Sequence, residues 1–240
     1  MTLTLVDDAA LERSHVVANA RMNRARRLSG INSYERELGF DPLAWLRARP
    51  AQHGSAAWLD LCCGSGQALI EAASTCAATG EQITFRGVDL IDSFVEIPAA
   101  LRSLRLEAAS LHRWDSPDRF DLITCVHGLH YVGDKLGLVE RAVSWLVPGG
   151  QFLAHLDLAN LRRASGEPLG RLALARFRAA GMVFDRRSSL LTCSGPRSIA
   201  FGLKCLGADD SAGPNRTRQE AVDSYYVASG ARRAVKNRWA

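Results

Sequence analysis

Residues 58–66 read Trp58-Leu59-Asp60-Leu61-Cys62-Cys63-Gly64-Ser65-Gly66, and a helical run over 67–78 follows them. The stretch begins as an apolar strand that includes an acid, and its two glycines predict a tight turn. Glycine lets the backbone approach a ligand closely, and the first amides of the following helix attract an anionic group. The stretch therefore predicts a strand, a turn and a helix that build a small-molecule cofactor site.

The glycine turn does not fit the fingerprint of a dinucleotide site. That fingerprint requires Gly-x-Gly-x-x-Gly, and Leu69 occupies the third glycine position. The pattern is instead Asp60-x-x-x-Gly64-x-Gly66. It resembles the first motif of the class I S-adenosylmethionine (SAM) dependent methyltransferases.

A second buried strand is predicted over 85–89, and it ends in Asp89. In nucleotide-binding α/β sheets this strand end lies beside the first glycine turn, where a carboxylate can accept from both ribose hydroxyls. The same acid can instead cap a following helix, as can Asp92 or Ser93. Because the strand that ends in Asp89 follows the glycine turn in the order expected of such a sheet, ribose binding is favoured over helix capping.

Later segments agree with the resemblance in their order. The segment 107–111 is similar to the acidic segment after the third strand of the family, although Glu107 replaces the commoner Asp. The segment 120–126 resembles the fourth strand, and Pro148-Gly149-Gly150 the turn that precedes the fifth. The resemblance spans residues 56–207 and rests on the ordered set of motifs.

The resemblance implies a fold, a methyl donor and a set of binding residues. The implied fold is α/β, with a seven-stranded, mostly parallel, doubly wound sheet and an N-terminal helical lid. The implied donor is SAM, with no metal. The implied cofactor-binding residues are Asp60, Cys62, Gly64, Gly66, Asp89, Leu90, Glu107, Ala108 and Val126.

Alternating patterns from residue 56 onward place the individual elements. We expect strands at 57–61, 83–89, 103–108, 120–126, 151–158, 182–192 and 198–207. The last two are expected to form an antiparallel pair at one edge, joined by the turn 194–197. We expect helices at 8–29, 32–38, 41–49, 67–79, 94–102, 134–147 and 168–180.

Composition sets the frame for this domain. A chain of 240 residues with 47% hydrophobic content suits one large domain. We divide it into a helical cover (1–50), a SAM-binding core (51–210) and a C-terminal extension (211–240). The absence of a long apolar run and of a basic, apolar start predicts a cytoplasmic protein without a membrane span. Six cysteines without a Cys-x-x-Cys pair are expected to be reduced packing residues.

The candidate chemistry follows the fourth strand, because ligands of open α/β sheets bind at the carboxyl ends of strands. His127 is the first candidate for a general base, His130 the second, and Tyr131 an orienting group. One histidine can instead be structural, since many methyltransferases act largely by positioning. In the lid, Tyr34 is expected to face the substrate or the methionyl end of SAM, with Glu37 or Arg24 contributing polar contacts. Tyr34 as a core residue is an equal alternative.

The charge of the chain raises nucleic acid as a substrate. The net charge is +5 and the sequence pI is about 9.1, with basic residues concentrated at both ends. No interleaved aromatic residues accompany them, and the segment 127–130 lacks the Asn/Asp/Ser-Pro-Pro-aromatic motif of enzymes that methylate base amines. Nucleic acid is therefore disfavoured as a substrate or partner.

A small-molecule acceptor is the favoured substrate. The overall pattern is similar to bacterial methyltransferases of specialised metabolism, among them those that methylate indole C3 of tryptophan-derived cyclic dipeptides. O- and N-methylation remain alternatives, as do an NAD-linked oxidoreductase and a noncatalytic SAM-binding or RNA-associated module. A homodimer is compatible with the sequence.

Overall fold

A twisted seven-stranded sheet forms the centre of the molecule. The computed structural model describes residues 4–18, 25–49, 55–215 and 219–229. The strands of this sheet are β1 (Ala56–Leu61), β2 (Ile83–Asp89), β3 (Leu104–Ala108), β4 (Phe120–Cys125), β5 (Leu146–His155), β7 (Val183–Asp185) and β8 (Leu190–Ser194). They lie in the order β3-β2-β1-β4-β5-β8-β7. Pairs from β3 to β5 are parallel, whereas β8 is antiparallel to both β5 and β7.

This architecture confirms the predicted fold class. The central strands β1 and β4 read as nearly continuous apolar runs because helices cover both faces of the sheet. Every residue of β4 is buried. Trp58, Leu59 and Leu61 of β1 have no solvent exposure. The sheet therefore divides the apolar interior into two layers, one on each face.

Helices connect the strands and cover the site. They are α1 (Asp8–Glu12), α2 (His15–Ala18), α3 (Tyr34–Leu38), α4 (Pro42–Arg47), α5 (Gln67–Thr79), α6 (Lys135–Ser144) and α7 (Gly170–Ala179). Four of them, α1, α3, α4 and α6, begin at polar side chains that accept from first-turn amides, namely Asp7, Ser33, Asp41 and Asp134. Helix α5 has the predicted bounds, 67–79.

Two helix predictions are wrong. The segment 94–102 contains no helix, and Pro98 within it disfavours helical backbone at the preceding residue. The long helix predicted over 8–29 is interrupted, since α1 ends at Glu12 and a second helix starts at His15. The hydroxyl of Ser14 accepts from the amide of Val17, as a new helix start requires. Residues 19–24 of that prediction lie outside the described residues.

The end of the chain forms a second sheet that the sequence did not predict. Its strands are β6 (Leu161–Arg163), β9 (Leu203–Asp209) and β10 (Asp223–Ala228), in the order β6-β10-β9. The predicted pairing of 198–207 with 182–192 is therefore wrong. The run 182–192 itself folds back as β7 and β8, with Ser189 in left-handed backbone before β8. The total of seven strands in the main sheet was right, but its last two strands are β7 and β8.

A buried lysine joins this second sheet to the main domain. Lys135, the first residue of α6, donates to the carbonyls of Val132 and Val222 and to the hydroxyl of Ser224, over 2.7–2.8 Å. Burial lowers the pKa of its ammonium group to about 7, against the attraction of Asp223. Strand β10 thus contacts the start of α6 through this amine and through the hydroxyl of Tyr226, which accepts from the amide of Leu136 at 3.1 Å.

We predict that Lys135→Met destabilises the fold by about 2–4 kcal/mol at pH 8, because the buried carbonyls of Val132 and Val222 and the hydroxyl of Ser224 lose their hydrogen-bond partner. The loss grows with pH. Between about pH 7 and pH 10 the unfolded chain binds a proton at Lys135 that the folded chain does not, so the free energy of unfolding of the wild type rises across this window. The variant lacks that gain.

Urea unfolding of both proteins at several pH values measures the difference. The exposed Lys204→Met serves as the matched control, and its effect should stay within about 0.5 kcal/mol. A difference between wild type and Lys135→Met that does not change from pH 7 to pH 10 contradicts the assignment.

Candidate active site

A pocket opens at the carboxyl ends of β1, β2 and β4, as expected for an open α/β sheet. The turn after β1 contributes Cys62, Cys63 and Gly64, and the turn after β2 contributes Asp89, Leu90 and Ile91. The segment after β4 contributes Val126, His127, Gly128, Tyr131, Val132 and Gly133. The remaining walls are Asp8, Leu11, Glu12, Val17, Arg26, Tyr34, Leu111, His112 and Gln219. The N-terminal helices thus cover the strand ends.

Asp89 joins the turns after β1 and β2. Its Oδ2 accepts from the amide of Gly64 at 2.8 Å, and its Oδ1 accepts from the amide of Ile91 at 3.1 Å. No helix follows within residues 90–103, so the alternative role as a helix cap is wrong. The carboxylate therefore lies at the pocket wall beside the glycine turn.

The glycine turn requires its glycines. Gly64 and Gly66 both have positive φ, 61° and 74°. A Cβ on Gly66 would lie 2.3 Å from Cδ1 of Leu106. Gly66 is the N-cap of α5 rather than a residue of the pocket wall. The turn brings Cys62, Cys63 and Gly64 to the ligand side.

Asp60 lies beneath the pocket and does not belong to its described lining. The hydroxyl of Tyr34 donates to its Oδ2 at 2.5 Å, and the hydroxyl of Thr124 donates to its Oδ1 at 2.6 Å. The indole of Trp58 donates in turn to Thr124 at 2.8 Å. Burial raises the pKa of Asp60 to about 7, although both hydroxyl donors oppose that shift. In this structure Asp60 anchors the lid to β1.

Tyr34 is a buried residue of the pocket wall. Burial, followed by the charge of Asp60, raises the pKa of its phenol well above the ordinary value. Its hydroxyl is therefore a hydrogen-bond donor rather than a base. Tyr34 lines the pocket and also packs on Trp58, with 5.8 Å between the ring centroids.

Glu107 and Ala108 do not reach the pocket. The carboxylate of Glu107 lies 3.5 Å from the guanidinium of Arg86, on the neighbouring strand β2, and pairs with it. Ala108, the last residue of β3, is exposed. Leu111 and His112 line the pocket at this side instead. The prediction that Glu107 and Ala108 bind the cofactor is therefore not supported by their position.

His127 stands at the pocket wall and bonds the lid. Its Nε2 lies 2.9 Å from Oε2 of Glu37 on α3, and Oε1 of the same carboxylate pairs with Arg26. The hydrogen bond from His127 lowers the pKa of Glu37 to about 2, with Arg26 acting in the same direction and burial opposing it. Glu37 is therefore an ionised acceptor.

The ionised carboxylate determines which nitrogen of His127 carries the proton. Because Glu37 can only accept, Nε2 of His127 must donate. In neutral imidazole the lone pair then resides on Nδ1. That atom is buried and has no hydrogen-bond partner among the described residues. Nδ1 is therefore the nitrogen of His127 that is left to accept a proton, as a general base must.

The backbone of His127 is strained at this position. His127 has φ of 59°, in the left-handed region, and so does Cys62 after β1. A Cβ on Gly128 would lie 2.3 Å from Cβ of Cys62, so only glycine allows the two turns to pack together. Left-handed backbone in a residue other than glycine is costly and accumulates at functional sites.

The other predicted residues after β4 differ in position. Tyr131 lines the pocket, whereas His130 is buried and outside the described lining. The ring centroid of His130 lies 5.7 Å from that of His127. The structure therefore favours His127 over His130 as the residue that reaches a ligand.

Glu37 and His127 belong to a cluster of side chains that also includes Arg26 and His155. The sequence analysis missed the last two. Arg26 belongs to a run of arginines that resembles a solvated surface, yet it is buried against Glu37. His155 is the last residue of β5, and its ring stacks on His127. Only its place at a carboxyl strand end could have indicated it. Glu37, His127 and His155 also offer three ligand atoms within 4.8 Å of one another, a spacing that could hold a metal ion.

Some sequence predictions fall outside the described residues. They include Arg24 as a polar contact of the lid, together with the C-terminal basic residues Arg232, Arg233, Lys236 and Arg238. Among the helices of the described residues, none combines the length and the apolar character needed to cross a bilayer.

Comparison with known proteins gives the family. Residues 33–193 match the family model described as a methyltransferase domain. Ubiquinone biosynthesis O-methyltransferases from three strains of Xanthomonas campestris pv. campestris are 34% identical over 124 residues, 48% of this chain and 48% of theirs. The chain thus spans about half the length of the curated relatives it matches.

Solved structures that match part of the chain include SAM-bound CalS10, an amino pentose methyltransferase from Micromonospora echinaspora. It is 21% identical, with a TM-score of 0.38 over 65% of this chain and 58% of that one. YjhP from E. coli is 22% identical, with a TM-score of 0.40 over 55% and 52%. Since the family model covers residues 33–193, more than half of the chain, the protein belongs to the methyltransferase domain family, and the resemblance of its motifs to class I methyltransferases is confirmed.

Proposed function

We propose that the pocket binds SAM and that the chain transfers its methyl group to a small-molecule acceptor, with His127 as the general base. The observation that carries the proposal is the pair of Glu37 and His127 at the pocket wall. An ionised carboxylate 2.9 Å from Nε2 fixes the tautomer, and the unpartnered Nδ1 is left to accept a proton. Membership of the methyltransferase domain family supports the reaction class.

The cofactor fits the wall formed by the first two strand ends. Asp89 offers carboxylate oxygens beside the glycine turn, where a ribose diol can donate to them. Cys62, Gly64 and Leu90 border the same space. Arg26, which also lines the pocket, has further N–H donors beyond the one bonded to Glu37 and can meet the methionyl carboxylate.

Methyl transfer from a sulfonium is an in-line displacement. A lone pair of the acceptor atom forms the new bond to the methyl carbon, the carbon–sulfur bond breaks, and its electron pair stays on the sulfur of S-adenosylhomocysteine. The proton of the acceptor passes to Nδ1 of His127, which becomes an imidazolium. The carboxylate of Glu37 stabilises that cation through Nε2. The protein contributes positioning and one proton acceptor.

A hydroxyl oxygen on an aromatic small molecule is our first choice of acceptor. A phenolic proton is acidic enough for partial transfer to an imidazole, and the similar proteins from Xanthomonas campestris are named as O-methyltransferases. Indole C3 of a tryptophan-derived cyclic dipeptide is the second choice, from the pattern of the sequence. There the same base would take the indole N–H proton, so the geometry of the dyad serves both acceptors.

For the cofactor, we predict that calorimetry detects binding of S-adenosylhomocysteine and no response to NAD. Asp89→Asn should weaken the affinity by about tenfold or more, because a charge-assisted hydrogen bond contributes about 1.5–3 kcal/mol. Asp92→Asn, an exposed neighbour outside the pocket wall, is the matched control and should bind as the wild type does. Binding of NAD but not of S-adenosylhomocysteine would contradict the proposal.

For catalysis, we predict that His127→Asn lowers kcat by about 10²–10⁴ while the affinity for S-adenosylhomocysteine stays unchanged, since the general base is lost. Asparagine tolerates the left-handed backbone of this position better than alanine does. Mass spectrometry of product from methyl-labelled SAM and a panel of phenols, catechols, amines and a tryptophan-containing cyclic dipeptide measures turnover and names the acceptor atom.

Glu37, the carboxylate partner of His127, has a matched control in Glu35 on the same helix. Glu37→Gln removes the charge that stabilises the imidazolium and should also lower kcat, whereas the exposed Glu35→Gln should not. Full turnover in both His127→Asn and Glu37→Gln would show that the dyad is not the base.

A further inference from the structure

His155 has no role in the reaction proposed above, yet it belongs to the same cluster. It is the last residue of β5, and its side chain is 4% exposed. Its ring lies on that of His127, with centroids 4.3 Å apart and planes 14° from parallel. Its Nε2 lies 3.7 Å from Oε2 of Glu37, which is beyond hydrogen-bond reach. The main contact of His155 with the dyad is therefore the stacked face of the imidazole.

The geometry argues against a shared metal ion. Glu37, His127 and His155 have ligand atoms close enough for one ion. A histidine, however, coordinates through a lone pair that lies in the plane of its ring, and a tetrahedral centre needs those directions to converge. Two rings stacked 14° from parallel direct their lone pairs side by side. The arrangement suits mutual support of the rings better than coordination.

His127 needs such support, because its turn does little to hold its ring. His127 has left-handed backbone dihedral angles and lies between β4 and a short 3-10 helix, whose N-terminus its side chain does not cap. Only one ring nitrogen of His127 has a hydrogen-bond partner among the described residues. A single hydrogen bond leaves the imidazole ring free to turn about the Cβ–Cγ bond. A ring stacked on its face restricts the plane that the imidazole can adopt.

We propose that His155 is a positioning residue that holds the imidazole of His127 in the plane in which Nε2 donates to Glu37 and Nδ1 faces the proton to be removed. The inference rests on the proposed function, since it assigns a support to the proposed base. The contribution of His155 is the flat face of the ring, so an aromatic ring without nitrogen should replace it.

Nitrogen NMR of the histidine rings tests the inference on the full chain saturated with S-adenosylhomocysteine. The chain has six histidines, and His127→Asn assigns the signal of interest by its loss. In the wild type we expect one tautomer of His127, with the proton on Nε2. In His155→Ala we expect the ring to turn so that Nε2 loses its acceptor Glu37, which leaves a mixture of both tautomers. In His155→Phe we expect the wild-type tautomer. His15→Ala, an exposed position outside the cluster, should change nothing.

Each result of the tautomer measurement either supports or overturns the inference. A wild-type tautomer in His155→Ala overturns the inference, and so does a mixture in His155→Phe, because the nitrogens of His155 would then be needed. Zinc titration of the metal-free wild type and of His155→Phe gives the alternative. Stoichiometric tight binding by the wild type alone would make the cluster a metal site. Thermal melting of both variants separates a local change of tautomer from loss of the fold.

Failure of the inference and failure of the proposed function are distinguishable. The tautomer is measured without turnover, so it reports on the stack alone. The product analysis with methyl-labelled SAM reports on the reaction and is independent of the tautomer. Methyl transfer with an unchanged tautomer in His155→Ala would retain the function and discard the positioning role.

Discussion

The hydrogen bond from Tyr34 to Asp60 ties the lid to the sheet, and the candidate site depends on it. Tyr34 opens helix α3, and Asp60 lies on the central strand β1. Residues three apart on a helix share a face, so Glu37 faces the same side as Tyr34. Once Tyr34 is fixed against β1, Glu37 lies over the end of β4, where it meets His127 at 2.9 Å. One buried contact thus aligns two distant segments of the chain.

That contact places an acid in an unfavourable environment. Burial raises the pKa of Asp60 to about 7, while the hydroxyls of Tyr34 and Thr124 stabilise its ionised form. A buried carboxylate without these donors would cost several kcal/mol. Asp60 and its donors therefore form one unit, in which each group satisfies another. The arrangement gives the lid a single position on the sheet, at the expense of desolvating a carboxyl group.

The sequence predicted well what is contiguous and poorly what is not. The strand, turn and helix around Gly64 were predicted because all their determinants lie within one short stretch. The second sheet was not, because the pairing of β10 with β6 and β9 depends on contacts between segments far apart in the chain. Within the candidate site, His127 was predicted from its place after a strand. Arg26 and His155 were not, since their roles depend on burial against Glu37 and His127.

The position of Asp60 shows why a motif and a role have to be separated. In the sequence, Asp60 belongs to the same pattern as Gly64, so a shared role in binding the cofactor was the natural expectation. Successive side chains of a strand point to opposite faces, and a residue inside β1 is enclosed by the strands and helices on both sides of it. Only residues beyond the strand end, such as Cys62 and Gly64, can face the pocket. The acid of the motif therefore contacts the lid through Tyr34, whereas Gly64 lines the pocket directly and Gly66 caps α5.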